Sequence, residues 1–66
     1  MAQPVKRFRV GNVTAAVWKN DNFFSVTLQR SYKEGDEWKN TDNLAAGDLL
    51  NAAKVLERAE AYISAQ

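Results

Sequence analysis

The chain has 66 residues, with nine Lys and Arg against eight Asp and Glu and a net charge of +1. It contains neither Cys nor His, which excludes disulfides, thiolate chemistry and ordinary zinc sites. A chain this short forms one domain and buries only about 60% of its unfolded surface, so its stability is marginal. With disulfides and zinc excluded, association with a second copy is the source of added stability that stays open. No signal peptide or apolar membrane span is visible, and we expect a soluble cytoplasmic protein.

The first half of the chain predicts an antiparallel β-meander. Residues 1–4 are expected to be a loose tail of the single domain 1–66, and strands are predicted over residues 5–10, 13–18, 23–32 and 37–44. The stretch FFSVTLQRSY, residues 23–32, alternates apolar and polar side chains, as a strand with one buried face does. Two-residue turns are predicted at Gly11-Asn12 and Asn20-Asp21, the second open to widening, and a longer turn at residues 33–36.

These turns define two faces of the predicted sheet. A turn at Gly11-Asn12 pairs Val10 with Val13, and a turn at Asn20-Asp21 pairs Val17 with Phe24. The core face then collects Phe8, Val10, Val13, Ala15, Val17, Phe24, Val26 and Leu28. Arg30 falls at the end of this face, where it reaches water or pairs with Glu60 or Asp42.

The other face, called here the open face, has an unusual composition for a solvated sheet. It collects Val5, Arg7, Arg9, Thr14, Ala16, Trp18, Phe23, Ser25, Thr27, Gln29 and Ser31, without an acid on the first three strands. Trp38 joins it or turns inward beside Tyr32, depending on the length of the third turn. The first 33 residues hold six cations against one acid, so the basic excess lies on this half of the chain.

Aromatic rings stack on bases, cations meet phosphates and hydroxyls donate hydrogen bonds, which is the chemistry of a single-strand platform. The open face therefore predicts binding of single-stranded DNA or RNA with little sequence preference. The candidate residues are Arg7, Arg9, Thr14, Trp18, Lys19, Phe23, Ser25, Thr27, Gln29 and Trp38. Two alternatives stay open: Trp18 and Phe23 form a cross-strand pair that only stabilises the sheet, or the face contacts a protein in a small interaction module.

A helix is predicted over residues 46–64, with Asp48 in its positive first turn. Its apolar residues, Leu49, Ala52, Ala53, Val55, Leu56, Ala59, Tyr62 and Ile63, fill close to half of the circumference. A helix on one sheet needs a narrower stripe, so the extra width predicts a homodimer contact or, alternatively, a different partner protein. The predicted dimer interface is Ala52, Val55, Leu56, Ala59, Tyr62 and Ile63.

Catalytic chemistry finds little support in the sequence. The chain lacks His, Cys, a phosphate-binding glycine loop and a nucleophile elbow. The acids Asp36, Glu37 and Asp42 have a spacing that matches no known cation loop. We therefore expect a binding protein rather than an enzyme, without a metal or other cofactor.

The stretches GNVTAAVWKN, FFSVTLQRSYKEGDEWKNTDNL and GDLLNAAKVLERAEAYI cover most of the chain. They resemble a group of short bacterial proteins known mainly as hypothetical. At the level of layout, four strands and then one amphipathic helix are similar to the positive cofactor four family of single-stranded-DNA-binding transcriptional coactivators. That resemblance implies a dimer paired through its helices, with exposed sheets that bind unpaired DNA. This chain differs in lacking a dense lysine surface.

Overall fold

A computed structural model describes residues 3–66 as one four-stranded antiparallel sheet followed by one helix. The strands, adjacent in chain order, are β1 (Lys6–Val10), β2 (Val13–Asn20), β3 (Phe23–Glu34) and β4 (Glu37–Thr41). A 3₁₀ turn, Ala46–Asp48, leads into the helix α1, Leu49–Ser64. The predicted α+β class is confirmed. The predicted loose tail includes Met1 and Ala2, which lie outside the described residues.

The three hairpin turns share one backbone feature, a positive φ at the first turn residue: 59° at Gly11, 52° at Asp21 and 62° at Gly35. The first turn confirms the predicted β1–β2 register, since Val10 pairs with Val13. A Cβ at Gly11 would lie 2.7 Å from the Asn51 side-chain nitrogen of α1, so a larger residue there would also displace the Asn51 side chain.

The predicted register between β2 and β3 is wrong by two residues. The turn is Asp21-Asn22 rather than Asn20-Asp21, so Val17 pairs with Val26 instead of Phe24. The prediction failed because both dipeptides suit a tight turn, and β2 continues through Lys19 to Asn20. A slip of two residues returns every side chain to its original face, so the composition of both faces is retained.

The fourth strand is shorter than predicted and ends at Thr41 rather than at residue 44. The Thr41 hydroxyl accepts a hydrogen bond from the Asn43 backbone N–H at 3.1 Å, and this local bond turns the chain out of the sheet. The tight turn at Gly35 pairs Lys33 with Trp38 and so places Trp38 on the open face. Of the two orientations expected for Trp38, the outward one is correct.

The core is built from small side chains. The helix packs mainly on β2 and β1 and barely reaches β3. Its buried residues Ala52, Val55 and Ala59 meet Val13, Ala15 and Val17 of β2. No fully buried side chain among the described residues is larger than valine, and Phe8, Val10, Phe24, Val26, Leu28, Leu44, Tyr62 and Ile63 are only partly covered around this centre.

Arg30 connects β3 to the segment that precedes the helix. Its Nε donates to the Asn43 carbonyl at 3.0 Å and lies 3.4 Å from the Asp48 Oδ2 atom. The partners expected for Arg30, Glu60 or Asp42, were therefore wrong. The β3–β4 register explains the outcome, because it sets Arg30 opposite Thr41 at the end of β4, next to this segment.

Candidate nucleic-acid interface

The open face of the folded sheet is positively charged. Strand alternation places Arg7, Arg9 and Lys33 on it, whereas Glu34 and Glu37, the acids within the four strands, pair with each other on the opposite side. The expected absence of acids on this face is confirmed for the first three strands and also holds for β4. Such a surface favours anionic ligands and repels no phosphate.

The exposed aromatic residues lie at two ends of this face. Phe23, 61% exposed, begins β3 beside the half-buried Trp18, whereas Trp38, 65% exposed, stands opposite Lys33. The ten residue steps from Phe23 to Lys33 correspond to roughly 33 Å of strand. A ligand that touches both ends must therefore be a polymer, and polar side chains occupy the path between them.

The middle of the path is an open depression of about 450 Å³, called here the Ala16 depression. Its lining comprises Arg7, Arg9, Thr14, Ala16, Trp18, Thr27, Gln29, Ser31 and Asn40. Ala16, only 9% exposed, forms the floor because its methyl group leaves the space that a longer side chain would fill. Six of the predicted site residues are thus brought together around one concavity.

The indole of Trp18 is held in a defined position. Its Nε1 donates a hydrogen bond to the Thr27 Oγ1 atom across the β2–β3 pair at 3.0 Å. Thr27 lies two residues beyond Ser25, the direct partner of Trp18, so the ring leans towards the Ala16 depression. Because its polar atom is already satisfied, Trp18 offers a ring surface to a ligand.

The two arginines of β1 differ in what they contact. The Arg9 Nε donates to the Gly11 carbonyl at 2.9 Å, which anchors its guanidinium beside the first turn. Arg7 stands opposite Ala16, and within residues 3–66 its side chain makes no hydrogen bond or ion pair. A guanidinium carries five N–H donors in a planar fork, so Arg7 presents a free bidentate donor beside the depression.

One predicted site residue lies elsewhere. Lys19 is on the helix side of the sheet, where its Nζ sits 5.7 Å from the centre of the Phe24 ring. The prediction placed Lys19 near a turn, but β2 extends past it and alternation directs it away from Trp18. Lys19 therefore belongs to a cation–π contact on the other face and not to the open face.

The structure also adds residues that the sequence-based list of site residues omitted. Asn40 lines the depression and its Oδ1 accepts from the Ser31 hydroxyl at 3.0 Å. Its position depends on the β3–β4 register, which the sequence left undecided. Lys33 was assigned to a turn. Ala16 was predicted on the open face but left out of the site residues, and the predicted register set it between Arg7 and Ser25 instead of between Arg7 and Thr27.

The predicted dimer face of α1 is divided by the fold. Ala52, Val55 and Ala59 are buried against the chain's own sheet, so they are not free to contact a second copy. Tyr62 and Ile63 are half-buried, and the Tyr62 ring meets Phe8 at 6.1 Å between centroids. Leu56 is 42% exposed, and Leu49 and Leu50 are exposed as well.

Comparisons of the chain with protein-family models, with curated proteins and with solved structures each gave no match. Within residues 3–66, α1 is too short and too polar to cross a membrane. No cluster of three or more acidic residues suited to a metal ion occurs in the same part of the chain.

Proposed function

We propose that this protein binds single-stranded nucleic acid through the open face of its sheet. The observation that carries the proposal is an acid-free face that holds both the cations Arg7, Arg9 and Lys33 and the aromatic rings of Trp18, Phe23 and Trp38. Cations track the phosphates of an unpaired strand, and aromatic rings stack on its bases. The polar groups of Thr14, Ser25, Thr27 and Gln29 supply hydrogen bonds between the two.

The layout similarity to the positive cofactor four family supports DNA rather than RNA as the preferred ligand, and a role in transcription or DNA maintenance. The same similarity supports a homodimer. The small core supports it too, because no fully buried side chain of the described residues exceeds valine. The exposed side of α1, with Leu49 and Leu56, is the surface we assign to the second copy.

The direct test is a titration of the protein with single-stranded DNA, followed by tryptophan fluorescence at low and moderate salt. We expect saturable quenching that weakens as salt rises, because phosphate binding releases counterions. A matching RNA strand should bind more weakly. Salt-independent binding, or no quenching at micromolar protein, would contradict the proposal and favour the alternative, a protein-interaction module without a nucleic-acid role.

Charge reversal identifies the surface that binds. Arg7→Glu with Arg9→Glu should abolish binding while the circular dichroism spectrum and melting temperature stay close to wild type. Removing one phosphate contact, as in Arg9→Ala, should make the slope of log K against log salt shallower by about 0.7.

The matched control changes the same number of charges on α1. Lys54 and Arg58 are exposed on the helix, on the other side of the molecule from the open face. Lys54→Glu with Arg58→Glu should leave most of the affinity intact. Equal losses in the two double variants would mean that net charge, and not the open face, determines binding.

A further inference from the structure

The Ala16 depression has the dimensions of a site for one small group rather than for a featureless strand. Its volume of about 450 Å³ falls within the roughly 300–1,000 Å³ range of small-molecule sites. Ala16 sits at its floor, between Arg7 on β1 and Thr27 on β3. The fixed indole of Trp18 provides an apolar wall, so a flat ring can enter and contact it.

The arginines are the groups around this space that can only donate hydrogen bonds. Arg7 offers a free guanidinium fork, whereas the Gln29 amide and the Thr14 hydroxyl can donate or accept. These two groups adapt to the edge of any base, so the choice of base rests on Arg7. Its fork suits a base edge with two adjacent acceptors.

Guanine has such an edge. Its O6 and N7 atoms accept both N–H groups of an arginine fork, which is the commonest specific contact between proteins and bases. Adenine presents an amino donor in place of O6, which suits an amide but sets a donor against the Arg7 fork. Arg9, anchored by its Nε on the Gly11 carbonyl, keeps its terminal amino groups for the adjoining phosphate.

We propose that the Ala16 depression binds a single guanine base of the bound strand, recognised by Arg7. This inference rests on the proposed function, and it adds one selective position to a face that otherwise takes any sequence.

The test compares three oligothymidylates of roughly twelve nucleotides: unsubstituted, with one central guanine, and with one central adenine. Wild-type protein should bind the guanine strand roughly tenfold more tightly than the adenine strand, as expected for one bidentate contact. Equal affinities for all three strands would overturn the guanine inference and leave the proposed function standing. No binding to any strand would overturn both.

Two arginine variants assign the contact. Arg7→Lys keeps the charge but loses the planar fork, and a lysine can still donate to O6 or N7, so the guanine preference should fall while the salt dependence is retained. Arg9→Lys should lower the affinity for all three strands by the same factor and keep the preference for guanine. A guanine preference of wild-type size in Arg7→Lys would overturn the assignment.

Filling the depression is an independent test. Ala16→Leu should remove the guanine preference, whereas Ala61→Leu, the same change at an exposed position of α1, should keep it. If Ala16→Leu binds with wild-type preference, the depression is not the site. Circular dichroism and thermal melting check that the variants fold. If Ala16→Leu does not fold, Arg7→Lys decides the question.

Discussion

Asp21 holds a backbone conformation that suits glycine better. Its φ of 52° lies in the left-handed region, where a Cβ collides with the following carbonyl. Gly11 and Gly35 hold the same conformation at the corresponding positions of the other two hairpins. Aspartate tolerates this region better than most residues, so the cost at Asp21 is modest.

Asp21→Gly should therefore stabilise the protein by about 0.5 kcal/mol, after the added freedom of glycine in the unfolded chain is deducted. The matched change in the opposite direction is Gly35→Ala, where a Cβ meets nothing within 4 Å and only the φ of 62° matters. It should destabilise by about 1 kcal/mol. Urea denaturation measures both, and a loss of stability in Asp21→Gly would contradict the argument.

At the scale of elements, Arg30 ties β3 to the start of α1. The side chains of Arg30 and Asp48 are 25% and 18% exposed, so their contact is partly shielded from water. Asp48 also accepts from the Ala45 backbone N–H at 3.3 Å, which fixes the turn that begins the helix. The three interactions hold the segment between β4 and α1 against the sheet.

Arg30→Met should therefore cost about 1–2 kcal/mol, since it leaves Asp48 and the Asn43 carbonyl without their partner. The control is Lys39→Met, which breaks the exposed pair of Lys39 and Glu34 at 3.6 Å. An exposed pair contributes little, and this change should stay within about 0.5 kcal/mol. Thermal melts of both variants decide the matter, and equal effects would show that the Arg30 contacts are no stronger than a surface pair.

The elements were predictable where local chemistry is unambiguous. Gly11-Asn12 allowed one register, and the structure has it. Asn20, Asp21 and Asn22 allowed two registers that differ by two residues, and face alternation cannot separate them because both give the same faces. The end of β4 depends on the hydrogen bond between the Thr41 hydroxyl and the Asn43 backbone N–H, and strand propensity alone does not predict that bond.

A slip of two residues leaves every side chain on the same face, so the composition of the open face was predictable although the β2–β3 register was not. Its composition survives an even slip, so Arg7, Arg9, Trp18 and Gln29 were placed correctly from alternation alone. The Ala16 depression was not foreseen, because a concavity depends on what the neighbours of a small side chain do. The division of α1 was not foreseen either, since periodicity gives an apolar arc without saying which part the sheet covers.

At the scale of the whole molecule, one helix does not cover the sheet. A helix is about 10–12 Å across and strands are about 4.8 Å apart, so α1 shields two of the four strands. It packs on β1 and β2, with Tyr62 turned towards Phe8 of β1. The opposite side of α1, which carries Leu49 and Leu56, therefore faces the part of the sheet formed by β3.

An apolar shelf results between α1 and β3. It consists of Leu49, Leu56, Phe24, Val26 and Leu28, all of them exposed or only partly buried. A second copy brings the same shelf, so two chains related by a twofold axis can cover each other's exposed residues. Such a contact would also supply the larger buried side chains that the small core of one chain lacks.

Leu56→Glu tests this assembly, because dimerisation would bury the new carboxylate without an opposite charge beside it. The wild type should sediment as a dimer whose melting temperature rises with protein concentration, as linkage to association requires. Leu56→Glu should sediment as a monomer with a lower, concentration-independent melting temperature. The control is Leu50→Glu, because Leu50 is 85% exposed and lies about 120° around the helix from Leu56, away from the shelf. The Leu50→Glu variant should remain a dimer.

A wild type that stays monomeric at high concentration would refute the homodimer, and a dimer in Leu56→Glu would place the contact on another surface.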